Sequence, residues 1–192
     1  MKSFLIIFSF LFTSSLLAQS IELDKAHSSI SFDIRHMMIS TVNGRFNEFS
    51  GNIETESPDN LSQAKINFTV DVASIDTANT DRDNHLRADD FFDVEKHPTA
   101  TFTSTKIESK SENQYQLVGN LTIKGVTKEV RFDVSYLGKG QDPWGNVKHG
   151  YEATTSLSRK EFGLTWNQAL ETGGVLIGDN VNLTVVVQVS EK

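Results

Sequence analysis

The 192-residue chain contains no cysteine. That removes disulfides, thiol nucleophiles, iron–sulfur clusters, cysteine-based zinc sites and a lipid-modified N-terminus from its repertoire. A chain of this length buries enough apolar surface to fold without such staples. Cationic side chains are in the minority, with 18 Lys and Arg against 25 Asp and Glu and a formal net charge of −7. No basic patch is present to release counterions from phosphates, which argues against a nucleic-acid partner. Catalytic and metal signatures are also missing. There is no Gly-x-Ser-x-Gly elbow, no phosphate-binding loop and no His-Glu-x-x-His pair, and Gly138-x-Gly140 runs on to Pro143 rather than completing a dinucleotide fingerprint. Asp81-Arg82-Asp83-Asn84-His85 imitates the start of a calcium loop, but Leu86 stands where that loop needs glycine. The residues assign no catalytic group, no metal and no cofactor, and the expectation is a protein that is not an enzyme.

Long apolar runs are lacking beyond the first residues. Lys2, an almost unbroken apolar tract over residues 4–12 and a tail of small residues read as a secretory leader cleaved after Ala18 or Ser20. The tract is too short to cross a bilayer comfortably. The expectation is a leader over residues 1–20, one mature domain over 21–192, a periplasmic location and no integral membrane segment after cleavage.

What the mature chain has in abundance is alternation. Ile30, Phe32 and Ile34 alternate with Ser31, Asp33 and Arg35, and Ile66, Phe68, Val70 and Val72 with Asn67, Thr69 and Asp71. The same period of two runs through Leu117, Gly119, Leu121 and Ile123, through Val130, Phe132, Val134 and Tyr136, and through Val181, Leu183, Val185, Val187 and Val189. A strand over residues 44–54 carries Phe46 and Phe49 out of phase, which predicts a bulge near Asn47 or Glu48. Ser57-Pro58-Asp59-Asn60 is a turn, Gly125 marks a tight hairpin, and residues 109–113 and 138–146 read as loops. Eight or more strands, each with one apolar and one polar face, describe an all-β antiparallel barrel or sandwich.

One stretch breaks the rhythm. Residues 76–102 are charged, with a helix expected from Thr80, capped by the Thr80 and Asp83 pair, to about Asp90. Phe91 and Phe92 follow and pin its end, and His97 before Pro98 turns the chain back to strand at Thr99. A helical segment of about residues 80–92, held to a β structure by two aromatic rings, has the character of a lid.

The chain resembles the YceI-like, polyisoprenoid-binding family of periplasmic proteins. The resemblance is carried by Asp24-Lys25-Ala26-His27-Ser28, Phe32, His36 and Ser40, and Gly44-Arg45-Phe46-Asn47-Glu48-Phe49-Ser50-Gly51. It continues through Ser74-Ile75-Asp76-Thr77, Arg82-Asp83-x-His85-Leu86-Arg87, Asp90-Phe91-Phe92-Asp93 and Pro98-x-Ala100-Thr101-Phe102. Gly119-x-Leu121-Thr122-Ile123-Lys124-Gly125 and Ser158-Arg159-x-x-Phe162-Gly163-Leu164 complete it. It implies a lipocalin-like, antiparallel eight-stranded barrel around an elongated cavity for an isoprenoid, a quinone or a related amphipathic lipid.

In such a barrel the apolar face of each strand points inward. The expected cavity wall is Ile30, Phe32, Ile34, Phe68, Val70, Phe102, Leu121, Phe132, Val134 and Val185, with His36 in phase on the same face. Each of these also suits ordinary core packing. Arg82, His85, Arg87 and Arg159, near the lid or a strand break, are candidates to meet a phosphate or quinone head group. Ion pairing with Asp76, Asp81, Asp83, Asp89 or Asp90 is their competing role. Burial of an isoprene unit gains about 3–4 kcal/mol gross, so several units outweigh an association cost of roughly 4–15 kcal/mol. Two other functions stay open on the residues alone. One is a ligand-free stress or interaction protein with a packed barrel. The other is a metal- or haem-dependent oxidoreductase, which needs His27, His36, His85, His97 and His149 to converge. The expected state is a monomer or homodimer.

Overall fold

The computed structural model describes residues 19–171 and 173–191. The expected leader lies outside them, apart from Gln19 and Ser20, whose backbone opens β1 (Gln19–Leu23). The strands that follow are β2 (Ser29–His36), β3 (Ser40–Phe46), β4 (Phe49–Thr55), β5 (Lys65–Asp71), the two-residue β6 (Ile75–Asp76) and β7 (Thr99–Ser111). After them come β8 (Gln114–Ile123), β9 (Val126–Gln141), β10 (Val147–Ser158) and β11 (Ile177–Ser190), and the one α-helix among the described residues is α1 (Thr80–Arg87).

The ring closes because β1 and β2 share one neighbour. Leu23 lies opposite Val189 and Ile30 opposite Val185, so both run along β11 as a single long strand interrupted at Lys25–His27. β3 and β4 repeat the device, with Phe46 opposite Ile30 and Ile53 opposite Ile21. Counting each broken strand once, eight strands close an antiparallel barrel. Closure leaves no long sheet edge to be covered. The bulge expected at Asn47 or Glu48 is a full break instead. Its reason is Ser74, whose carbonyl accepts from Asn47 N at 3.2 Å and whose hydroxyl accepts from Glu48 N at 3.0 Å. The two loops expected at 109–113 and 138–146 are shorter than the composition implied. β7 runs to Ser111 and turns at Asn113 with φ 59°, and β9 runs on to Gln141 before the Asp142 carboxylate ties the turn to Trp144 N and Asn146 N.

The interruption between β1 and β2 is pinned by Asp24. Its carbonyl accepts from Ser28 Oγ at 2.7 Å, and its carboxylate accepts from Gln188 Nε2 at 3.0 Å and Lys148 Nζ at 3.2 Å. Burial pushes the Asp24 carboxyl up, but hydrogen bonds from His27, Lys148 and Gln188 outweigh it and hold the group at about 2. A carboxyl whose folded value lies below its unfolded value near 3.9 stabilises the fold above that pH and stops doing so as pH falls through the folded value. Urea midpoints are therefore expected to fall between about pH 4 and pH 2, and to fall less in Asp24→Asn. After allowance for solvent screening the difference is on the order of 1–2 kcal/mol. Equal acid sensitivity in the two proteins would contradict this role.

One end of the barrel is closed by the turn that Pro58 and Asp59 occupy. Tyr151 OH donates to the Pro58 carbonyl, Tyr136 OH to Asp59 Oδ1 at 2.6 Å, and Tyr115 OH to the Asp59 carbonyl at 3.4 Å. Leu61, Ile21 and Val189 pack beneath as buried core.

Candidate functional site

Above that plug the barrel is hollow. Its cavity measures about 560 Å³ and is bounded almost wholly by apolar side chains. Ile30, Phe32, Ile34 and His36 of β2, Phe68 and Val70 of β5, and Phe102 of β7 line it. So do Leu121 of β8, Phe132 and Val134 of β9, and Val185 of β11. All eleven wall residues expected from alternation thus face one space, because a period of two in a closed barrel leaves every second side chain only the lumen. Glycines keep it open. A Cβ on Gly44 would stand 2.3 Å from Phe32 Cζ, one on Gly51 2.7 Å from the Phe68 ring, and one on Gly119 2.4 Å from Phe102 Cζ. Three rings therefore occupy the space over a neighbouring strand's glycine instead of projecting into the lumen.

The other end of the barrel is covered by α1 and the turns after it. The helix is shorter than expected and capped one residue earlier. Asn79 Oδ1 accepts from Arg82 N at 2.9 Å, and the chain leaves helical geometry at Ala88. Asp83 is not the second half of a capping box. Its buried carboxylate accepts from Thr77 N at 2.9 Å and Thr77 Oγ1 at 2.5 Å, which ties the helix down onto the strand it follows. Arg82 adds to the same anchor, with Nε donating to Thr77 Oγ1 at 2.7 Å and Nη2 to the Thr77 carbonyl at 2.8 Å.

Phe91 and Phe92 pin the segment as expected. Phe91 packs against His85 and Trp166, with ring centroids 5.0 and 5.3 Å away, and Phe92 meets Phe46 edge-on at 6.2 Å. Lys124 Nζ donates to the carbonyls of Asp89 and Phe91 and holds the turn from the side.

Of the head-group candidates, Arg82, His85 and Arg159 border the cavity, as do Phe91 and Phe92. Arg87 does not. Its Nε and Nη2 each donate at 2.8 Å to the carbonyls of Ala73 and Ile75, so it braces the helix against the chain that leads into it. Of the carboxylate partners considered for these residues, the one in reach is that of His85, whose Nε2 lies 2.8 Å from Asp90 Oδ2. Asp76 pairs instead with Arg45 at 3.3 Å.

Arg159 is the unusual member. The chain buries it to 4% exposure at the start of the 3-10 turn Arg159–Phe162. Nε donates to the Gly178 carbonyl at 2.8 Å, and Nη1 to the carbonyls of Leu164 and Trp166 at 2.5 and 2.9 Å. Nη2 has no hydrogen-bond partner among the described residues and stands 3.6 Å from the Asp179 carboxylate. Burial pulls the guanidinium below its ordinary value, with Asp179 opposing it. The arrangement gathers Leu164, Trp166 and Gly178 around one guanidinium, and Trp166, Leu176 and Ile177 border the cavity. Trp166 and Leu176 lie outside the strands, where alternation carries no signal, and Ile177 opens β11 opposite His36 ahead of the register shift that precedes Val181. Leu183 and Val187, in the alternation of the last strand, also face the lumen, as do Tyr151, Ala153 and Leu157 of β10.

Among the described residues no three His, Asp or Glu side chains converge as metal ligands. His27 sits beside Asp24, His149 is fully buried near the closed end between Tyr136 and Glu191, and His97 lies over Gly125. The convergence of histidines that a metal or haem reading requires is not found there.

The YceI-like domain model matches residues 22–189. A UPF0312 protein of Staphylococcus epidermidis is 41% identical over 168 residues, covering 87% of this chain and 95% of its own. The Campylobacter jejuni YCEI protein superposes with a TM-score of 0.71 at 34% identity, over 88% of this chain and 96% of that one. A polyisoprenoid binding domain from Saccharophagus degradans, described as implicated in plant cell wall breakdown, superposes with a TM-score of 0.62 over 92% of this chain and 99% of its own. At 16% identity that last likeness is one of fold.

Proposed function

The chain belongs to the YceI-like family, and from that premise we propose that it is a non-catalytic carrier holding an isoprenoid or quinone-like lipid in its barrel. The observation that carries the reading is the cavity itself: about 560 Å³, apolar on nearly every wall and closed at the tyrosine-tied end. Ligand pockets run to roughly 300–1,000 Å³. An engineered apolar cavity of ~150 Å³ takes one benzene, so simple scaling gives this barrel room for about twenty carbons, on the order of four isoprene units. A ligand-free packed barrel is disfavoured by the same space. The leader-like first residues support a periplasmic setting, where a lipid needs a protein around it to cross water.

In this account the tail lies along Phe32, Phe68 and Phe102, and the head group rests at the rim. Arg159 borders the cavity, and its Nη2, which makes no hydrogen bond among the described residues and stands 3.6 Å from the Asp179 carboxylate, is the donor assigned to it. The segment from α1 to Phe92 gates entry, since it is fastened by side chains rather than by strand pairing.

Displacement of an environment-sensitive fluorescent fatty acid by prenyl alcohols tests the reading. Affinity is expected to rise steeply from geraniol through farnesol to geranylgeraniol, at a gross gain of about 3–4 kcal/mol per isoprene unit, and to level off once further units must leave through the mouth. Failure of every member of the series to compete would sink the proposal.

A further inference from the structure

The hairpin that joins β2 to β3 ends in three consecutive apolar residues, and all three point into solvent. Met37, Met38 and Ile39 are 40%, 68% and 80% exposed. Their position is not arbitrary. His36, immediately before them, lines the cavity, and Met37 N donates to the carbonyl of Leu176, another rim residue, at 2.8 Å. The tip therefore stands beside the mouth, at the end of the barrel opposite the tyrosine-tied plug.

The backbone gives a second, independent observation. Met37 and Met38 have φ of 52° and 63°, the mirror-image turn that ordinarily selects Asn-Gly because a side chain at positive φ is disfavoured. Two methionines occupy positions where the local geometry asks for other residues. A local rule broken at an exposed site, against the interest of both solubility and turn stability, marks a position kept for contact.

We infer that this tip is a bilayer-docking element: Met37, Met38 and Ile39 insert among the acyl chains of a phospholipid surface and bring the barrel mouth to it. The size of the patch selects the occupant. A stable protein pair buries about 800 Å² on each partner, whereas a convex tip of three side chains offers a few hundred at most. Insertion into an interface needs no matching surface. Long unbranched methionine side chains suit a fluid apolar medium, and the neighbouring Arg35, exposed on the same hairpin and bonded to Thr41 at 3.3 Å, can remain at the headgroup level. With a net charge of −7 the attachment is apolar rather than electrostatic. The inference rests on the carrier reading for its purpose, since a lipid must pass between membrane and cavity, but not for its geometry.

The test is flotation of the purified protein with vesicles of phosphatidylethanolamine and phosphatidylglycerol, wild type against a Met37→Asn, Met38→Gly, Ile39→Thr triple variant. The variant gives the turn the residues it prefers, so it is expected to melt no lower than wild type. Its vesicle-bound fraction is expected to fall at least tenfold while the lipid seen in its native mass spectrum is unchanged. Wild-type binding is expected to survive high salt. Absence of wild-type flotation overturns the inference, and so does binding abolished by salt or an equal bound fraction in the triple variant. A wild-type dimer that the triple variant converts to monomer also overturns it, by showing the tip to be a contact between copies. A wild type that floats but never carries lipid upholds docking while the carrier reading fails.

Discussion

A Phe68→Asp variant is expected to come through purification folded and without lipid. Phe68 stands mid-wall on β5, paired with Gly51 on one side and with Phe102 on the other, and its ring forms part of the cavity lining. It packs at the edge of the main core and not within it, so its loss leaves the tyrosine plug and the Val187–Val189 seam in place. Removing the ring forfeits about 1.5–3 kcal/mol of apolar contact with a ligand. The carboxylate that replaces it adds a larger penalty, because a bound hydrocarbon would have to strip its water. Together these predict a fall in retention of about 100-fold or more, read as the lipid-to-protein ratio after denaturing extraction. Phe68→Leu, which keeps the wall apolar, should retain most of the lipid. Equal lipid in a folded Phe68→Asp protein would remove this residue from the site.

The second large effect is expected at Arg159. Replacement by Met keeps much of the volume but leaves the carbonyls of Gly178, Leu164 and Trp166 without the donors that now satisfy them. Buried acceptors stripped of partners cost about 1–3 kcal/mol each at most, and loss of a buried charged fork typically totals 3–5 kcal/mol. For a chain of this size that corresponds to a fall in melting temperature on the order of 10 °C. Arg159→Lys should recover little, since a point charge cannot reach three carbonyls held in a fork. The damage should centre on residues 164–178, so amide exchange there is expected to accelerate well beyond the change seen in β7 and β8. A melting temperature within a degree or two of wild type would show that the rim is held by something else.

The wall of this site was legible in the sequence, and its rim was not. Ile30, Phe32, Phe68, Phe102 and Val134 follow from a period of two and the closure of a sheet, which dictates where alternate side chains go whatever the details. The break at Asn47 and Glu48 was visible as an irregularity, but its form depended on Ser74, a partner remote in the chain, and the break at Lys25–His27 left no such mark. Arg87 was misread for a related reason. An arginine on a short polar helix has no periodic signature that separates a brace on backbone carbonyls from a contact with ligand. Trp166 is placed by contacts remote from it in the chain, the Arg159 guanidinium on its carbonyl and Asn167 on Ile177, and no local pattern around Arg159 announces which carbonyls it will gather. The closed end shows the same limit. Pro58 and Asp59 read as a turn, but not as the stopper that Tyr115, Tyr136 and Tyr151 make of it.

The most direct test of the central claim is native mass spectrometry of the protein purified from its native host without detergent, with identification of whatever dissociates. The account predicts one bound prenyl lipid or quinone per chain, released only on activation or unfolding. A clean apo mass that stays unchanged after incubation with isoprenoid lipids would contradict it and leave the barrel without a cargo.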